Sequence, residues 1–149
     1  MIKNLFITNS TKNKLRKSTV HNFISRLKSD LNFEIDSLVI NFVTADQIKP
    51  INKEYLGHNY STDIITFNYS GENYTLDGEI FISLDDASLF AKKYNVSLEN
   101  EILRLIIHGF LHMIGYDDKV EKDKKKMKRL ENSLVNKYLN SINKFTIDI

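Results

Sequence analysis

His108 and His112 lie four residues apart in the stretch HGFLHMIGYDD. On an α-helix that interval puts both imidazoles on one face, one turn apart. Gly115, which can end a helix with positive φ, comes next, and Asp118 then falls within reach of the same point in space. Two ring nitrogens and a carboxylate oxygen converging there, with a fourth position left for water, are what a catalytic zinc requires. Two histidines on an apolar helix also fit a quieter role, as core residues hydrogen-bonded to backbone. The surroundings tilt the balance. Leu98, Ile102, Leu105, Ile106, Phe110 and Met113 make the segment too apolar for a surface helix. Neighbouring imidazoles are costly in such a place unless something coordinates or hydrogen-bonds them.

The spacing HxxxHxxGxxD agrees with that of metzincin-type zinc proteases over its first eight positions, where the last ligand is usually His. Those enzymes carry a general-base Glu directly after the first His. Here that residue is Gly109, so peptide hydrolysis by that route lacks its base.

The elements that must position these residues follow from periodicity and turn chemistry. Ile2 to Thr8 reads as a strand, and Ser10 or Thr11 as the cap of a helix with the stripe Val20, Phe23, Ile24, Leu27 and Leu31. Ser37 to Val43 has apolar residues on both sides, the mark of an inner strand. A helix through Ile48, Ile51 and Tyr55 contains Pro50, which is expected either to open it at the first turn or to break it. Asp63 to Tyr69 and Glu79 to Leu84 flank a polar connection, Asn68 to Gly78, and read as a hairpin. Asp85 or Asp86 then caps a helix through Leu89, Phe90 and Tyr94, and Ser97 caps the apolar helix bearing the histidines. A last amphipathic helix, Lys119 to Tyr138, turns Met127, Leu130, Leu134 and Tyr138 inward. The expected architecture is α+β: a small mixed sheet of about four strands flanked by helices, one of them a zincin-like metal helix.

With 149 residues, 42% hydrophobic and 27% charged, the chain fits one globular domain, 1–149, and excludes disordered and fibrous classes. Without cysteine, any metal must bind through His, Asp or Glu. No run of about 18 apolar residues suggests a membrane span, and MIKNLFITNS lacks the apolar core of a signal peptide, so a cytoplasmic protein without membrane partners is expected. A net charge of +2 does not argue for nucleic acid, but its distribution is uneven. Lys119 to Arg129 holds seven cations against Glu121 and Asp123, beginning one residue after Asp118. This is a solvated helix face or, beside a metal, a surface that attracts a polyanion.

Beyond the histidines the resemblance to a known family is extended. HGFLHMIGYDD resembles the signature HGxLHLxGYDH of the bacterial YbeY endoribonucleases. NKEYLGHNYSTDIITF, from Asn52 to Phe67, is similar to the family's NxxYRGKDxxTDVLSF, and DGEIFIS, from Asp77 to Ser83, to its LGDIxIS strand. Order and spacing agree over roughly residues 39–127. The resemblance implies a zinc-dependent, single-strand-specific endoribonuclease acting in 16S rRNA 3′-end maturation and ribosome quality control, with single-stranded RNA and the small ribosomal subunit as partners. It puts one Zn²⁺ per chain on His108, His112 and Asp118. The third ligand departs from the family's His, and a carboxylate makes the bound water less acidic. Asp117, which matches the Asp of GYDH, is the next candidate.

Leu56 and His58 stand where the family usually has Arg and Lys. His58, Lys119 and Lys122 are the candidate substrate contacts, and Tyr55, Tyr60 and Tyr116, near the motif, are either base-stacking residues or part of the core or rim. Asp63 is the candidate general base, set against a turn-capping role in Ser61-Thr62-Asp63. The alternative function is a non-catalytic ribosome-assembly factor with a structural metal.

Overall fold

A computed structural model describes residues 1–147, so the last two residues of the expected 1–149 unit lie outside it. The chain runs β1 (Leu5–Asn9), β2 (Lys14–Leu15), α1 (Lys17–Leu31), β3 (Glu34–Val43), α2 (Ala45–Leu56), β4 (Ile64–Asn68) and β5 (Thr75–Ser83). It continues through α3 (Leu84–Lys93), α4 (Leu98–Met113), α5 (Glu121–Tyr138) and β6 (Thr146–Ile147). Four strands form one sheet in the order β1-β3-β5-β4, parallel except for the antiparallel β4–β5 hairpin. The fold is α+β with a mixed sheet, and β3 is an inner strand, as its two apolar sides require. No helix among the described residues is long and apolar enough to cross a membrane.

Leu38, Ile40 and Phe42 on β3 and Ile80 and Ile82 on β5 pack with Val20, Phe23 and Ile24 of α1 and with Ile102, Ile106 and Phe110 of α4 in one buried cluster. A smaller cluster of Val43, Ile48 and Ile65 joins α2 to the sheet. α4 is therefore a core helix, and the face it leaves uncovered is where polar chemistry can sit. Gly109 allows its close approach, since a Cβ there would lie 3.0 Å from Ile64 Cδ1 and 3.4 Å from Ile80 Cδ1. Position 109 faces β4 and β5, so a carboxylate at this point would be driven into the sheet.

Four local expectations need correction. α1 is not capped by Ser10 or Thr11; its N-cap is Arg16, with no side-chain bond. The reason is tertiary. Residues 14–15 are drawn into a two-stranded sheet with β6, while the Ser10 hydroxyl donates to Gln47 Oε1 and that of Thr11 to Asn9 Oδ1. Pro50 neither opens nor breaks α2, which starts at a Thr44/Gln47 capping box, passes through the proline and ends at Gly57 with φ +73°. Asp46, whose carbonyl loses its i+4 donor, is exposed, so water can satisfy that oxygen. α3 is capped by Ser83 rather than by Asp85 or Asp86, because Asp85 Oδ2 accepts instead from the Ala45 N–H at the start of α2. The hairpin connection is shorter than expected, residues 69–74, since β5 begins at Thr75 where Glu34 and Ile35 of β3 still pair with it.

Candidate metal centre

α4 does what the i, i+4 spacing requires. His108 and His112 project from the face away from the sheet, with their Nε2 atoms 3.0 Å apart. Gly115 takes φ +107° just beyond the helix, and the chain folds back so that the Tyr116 carbonyl lies 3.1 Å from His112 Nδ1. Asp118 Oδ2 then comes to 3.5 Å from His112 Nε2. Ligand atoms of His108, His112 and Asp118 all lie within 4.8 Å of one another, a group that could hold a metal ion. Asp117 is otherwise engaged, its Oδ1 accepting from the Lys119 N–H at 2.9 Å.

The outer nitrogens decide what the inner ones present. His108 Nδ1 lies 2.6 Å from Glu131 Oε1, a side chain only 1% exposed. Burial pushes the Glu131 carboxyl up, but hydrogen bonds from His108 and Lys128 and their charges outweigh it and hold the pKa at about 2. An ionised carboxylate and a backbone carbonyl only accept, so both Nδ1 atoms must donate. In neutral rings both Nε2 atoms then carry lone pairs, and these face each other and Asp118. His112 is kept neutral, its pKa lowered by burial and by His108 against the pull of Asp118, the Tyr116 carbonyl and Asp117. Lone-pair atoms facing one point repel unless a proton or a metal cation lies between them; a proton shared by the two Nε2 atoms relieves that pair, and a divalent metal relieves all three. The donor set therefore fits a small divalent metal with nitrogen and oxygen ligands, and the Glu131–His108 pair is the outer-sphere contact such ligands use.

Glu131 was not among the residues picked out from sequence, nor were Arg104 and Glu101. Arg104, one turn before His108, donates from Nε to both Glu101 oxygens at 3.1 Å and pairs with Glu131 at 3.4 Å and Asp63 at 3.9 Å. Burial lowers its pKa, and these carboxylates more than restore it. The available signal was a carboxylate at 131, on the inward stripe of α5 four residues after Met127.

The structure brings Asp63 to this face of α4 through Arg104, while its backbone oxygen accepts from the Ser83 N–H at 2.9 Å. His58 is exposed on the loop after α2, where Nδ1 meets the Tyr60 hydroxyl. Lys119 and Lys122 are exposed outside the cleft that contains His108 and Asp118; the lysines lining it are Lys124, Lys125 and Lys128. Tyr116 is half-buried beneath Lys126, and Tyr55 and Tyr60 are exposed.

The family model for Endoribonuclease YbeY matches residues 3–139, well beyond the segments that suggested it. The chain belongs to the YbeY endoribonuclease family. Relatives named Endoribonuclease YbeY include one from Chlorobium limicola, 36% identical over 134 residues, which cover 90% of this chain and 92% of the relative. Another, from Azobacteroides pseudotrichonymphae, is 40% identical over 122 residues, 82% of this chain and 86% of the relative. A solution structure of a Thermotoga maritima protein superposes with a TM-score of 0.63 at 28% identity, covering 89% of this chain and 87% of that one. Family membership makes RNA hydrolysis the chemistry against which the lone-pair cluster is to be read.

Proposed function

We propose that this chain is a single-strand-specific metallo-endoribonuclease that holds one zinc ion through His108, His112 and Asp118 and hydrolyses RNA phosphodiester bonds. The observation that carries this reading is the convergence of three lone-pair atoms, two of them oriented from outside, in a member of an endoribonuclease family. A bound zinc supplies Lewis acidity toward a phosphoryl oxygen and makes a water easier to deprotonate. The protein's own part is positional. Glu131 and the Tyr116 carbonyl fix ring tautomer and direction, Asp118 sets the charge of the ligand set, and the lysines of α5 raise the local concentration of a polyanion. Asp63, partly exposed and only 3.9 Å from its cation, is the carboxylate of this face left for proton transfer.

The setting is cytoplasmic maturation of the 16S rRNA 3′ end on the small ribosomal subunit, following the family resemblance. One observation favours the non-catalytic assembly-factor reading: Leu56 and His58 leave the loop after α2 without the two cations of the family pattern. Metal analysis of protein purified without chelator or nickel resin, together with a cleavage assay on single-stranded RNA, separates the two. One zinc per chain and loss of cleavage in His112→Ala with an intact fold are expected. An apo protein that cleaves equally well sinks the metallonuclease; stoichiometric metal and small-subunit binding without turnover favours the assembly factor.

A further inference from the structure

A groove of about 760 Å³ leads away from the metal centre along α4, between α3 and α5. Its floor is one face of α4, with Asn100, Arg104 and His108 at successive four-residue steps, a path of about 12 Å at helical rise. The two walls differ in kind. On the α5 side stand Lys124, Lys125 and Lys128 with Glu121, and Glu131 buried behind Lys128; on the α3 side stand Phe90 and Tyr94, which are 37% and 57% exposed. Other aromatic side chains are exposed too, Phe6, Tyr55, Tyr60, Tyr69 and Tyr74 among them, but Phe90 and Tyr94 are the aromatic pair lining the groove that reaches His108 and Asp118. The buried face of α3 is made by Leu84, Ala87 and Ala91, so Phe90 and Tyr94 contribute little to the core. They form a ladder instead. The Arg104 guanidinium lies 5.5 Å from the Phe90 ring, whose centroid is 4.7 Å from that of Tyr94.

We propose that this groove is a nucleobase-stacking subsite for the substrate strand, with Tyr94 and Phe90 as its stacking wall. The inference rests on the RNA reading above and adds where the strand lies. An aromatic wall facing a lysine wall, opening on the metal ligands, suits a ligand with a flat π surface on one side and an anion on the other. Only an unpaired strand offers both, because in a duplex the base faces are already stacked. Asn100 has a side-chain amide without a hydrogen-bond partner among the described residues, and it can donate to and accept from the edge of a stacked base.

The test is steady-state cleavage of a 12-nucleotide single-stranded RNA by the zinc-loaded enzyme. Tyr94→Ala is expected to raise KM by roughly 5- to 150-fold, the range that base–aromatic stacking spans, with kcat changed less than about threefold. Tyr94→Phe should behave as the parent, and Tyr69→Ala, on the exposed end of the β4–β5 hairpin, should leave KM unchanged. Substrates with single abasic positions provide a readout that a structural role would not move: at the stacked nucleotide, Tyr94→Ala should add no further loss. Tyr94→Leu, which keeps apolar bulk without the π face, guards against a local packing defect. If Tyr94→Ala and Tyr94→Leu both retain the parent KM on an RNA the enzyme cleaves, the subsite is wrong and the RNA reading survives. If the parent neither binds nor cleaves single-stranded RNA, both fall.

Discussion

Two helices of this protein carry histidines that are wholly or partly covered, and they hold them in opposite ways. His21 on α1 is 5% exposed, with Nδ1 buried and unpaired among the described residues. The His108 and His112 side chains on α4 are less hidden, 23% and 28% exposed, yet each has an acceptor on its outer nitrogen and a neighbour's lone pair at its inner one. Burial therefore does not mark the chemical histidines. What marks them is that their outer hydrogen bonds dictate which nitrogen faces the shared point.

The sharpest way to break that contrast is to remove one inner nitrogen. His112→Ala should cost more than about a hundredfold in zinc affinity, beyond the range of outer-sphere contacts, and abolish RNA cleavage. His21→Gln should change neither. Competition titration against a chromophoric chelator measures the first quantity and gel-resolved cleavage the second; equal losses from both variants would erase the distinction between the helices.

Removing an outer partner should have the next largest effect. Glu131→Gln keeps the shape but weakens the acceptor for His108, with an expected loss of about 10- to 100-fold in metal affinity. Glu131→Ala also removes the buried acceptor of His108, while Arg104 keeps Glu101 and the exposed Lys128 can turn to water, so stability should fall by about 1–3 kcal/mol in urea unfolding. A Glu131→Gln protein with parental affinity would show that tautomer control does not depend on this pair.

Asp118 tests the comparison from the loop side. Its side chain is 44% exposed and has His112 as its one ion-pair partner among the described residues, so it is less pre-set than the helix residues. Asp118→Ala is expected to weaken zinc by about tenfold, less than loss of a helix ligand because an exposed loop side chain must be ordered on binding, and Asp118→His to restore it. Unchanged affinity in Asp118→Ala would remove it from the ligand set.

The smallest effect belongs to His21. Burial, and then the nearby N-terminal charge, lower its pKa, so protonation favours the unfolded chain. Its contribution is fully present above about pH 6.5 and fades as pH falls below that value. The melting temperature should drop more between pH 7.5 and 5.5 in the parent than in His21→Gln. An identical drop in both would show that His21 does not titrate on unfolding.

Legibility followed the range of the interactions. α4 was readable from its apolar stripe, the Ser97 cap and the four-residue histidine spacing, all of which act within a few turns. The cap of α1 was misread because residues 14–15 answer to β6, more than 130 positions away. Pro50 was misread because its cost depends on whether the freed carbonyl reaches water, and only packing exposes that face. Glu131 was missed because its partner His108 is 23 residues distant, on another helix.

The sequence by itself determined that two imidazoles share one helix face and that a glycine and a carboxylate follow, because helical periodicity and turn preference are local. Only the tertiary structure decided that Asp118 rather than Asp117 joins them, that Glu131 and the Tyr116 carbonyl orient the rings, and that an aromatic wall runs beside the centre. Those choices depend on how α3, α5 and the turn after α4 pack, and no spacing along the chain encodes that arrangement.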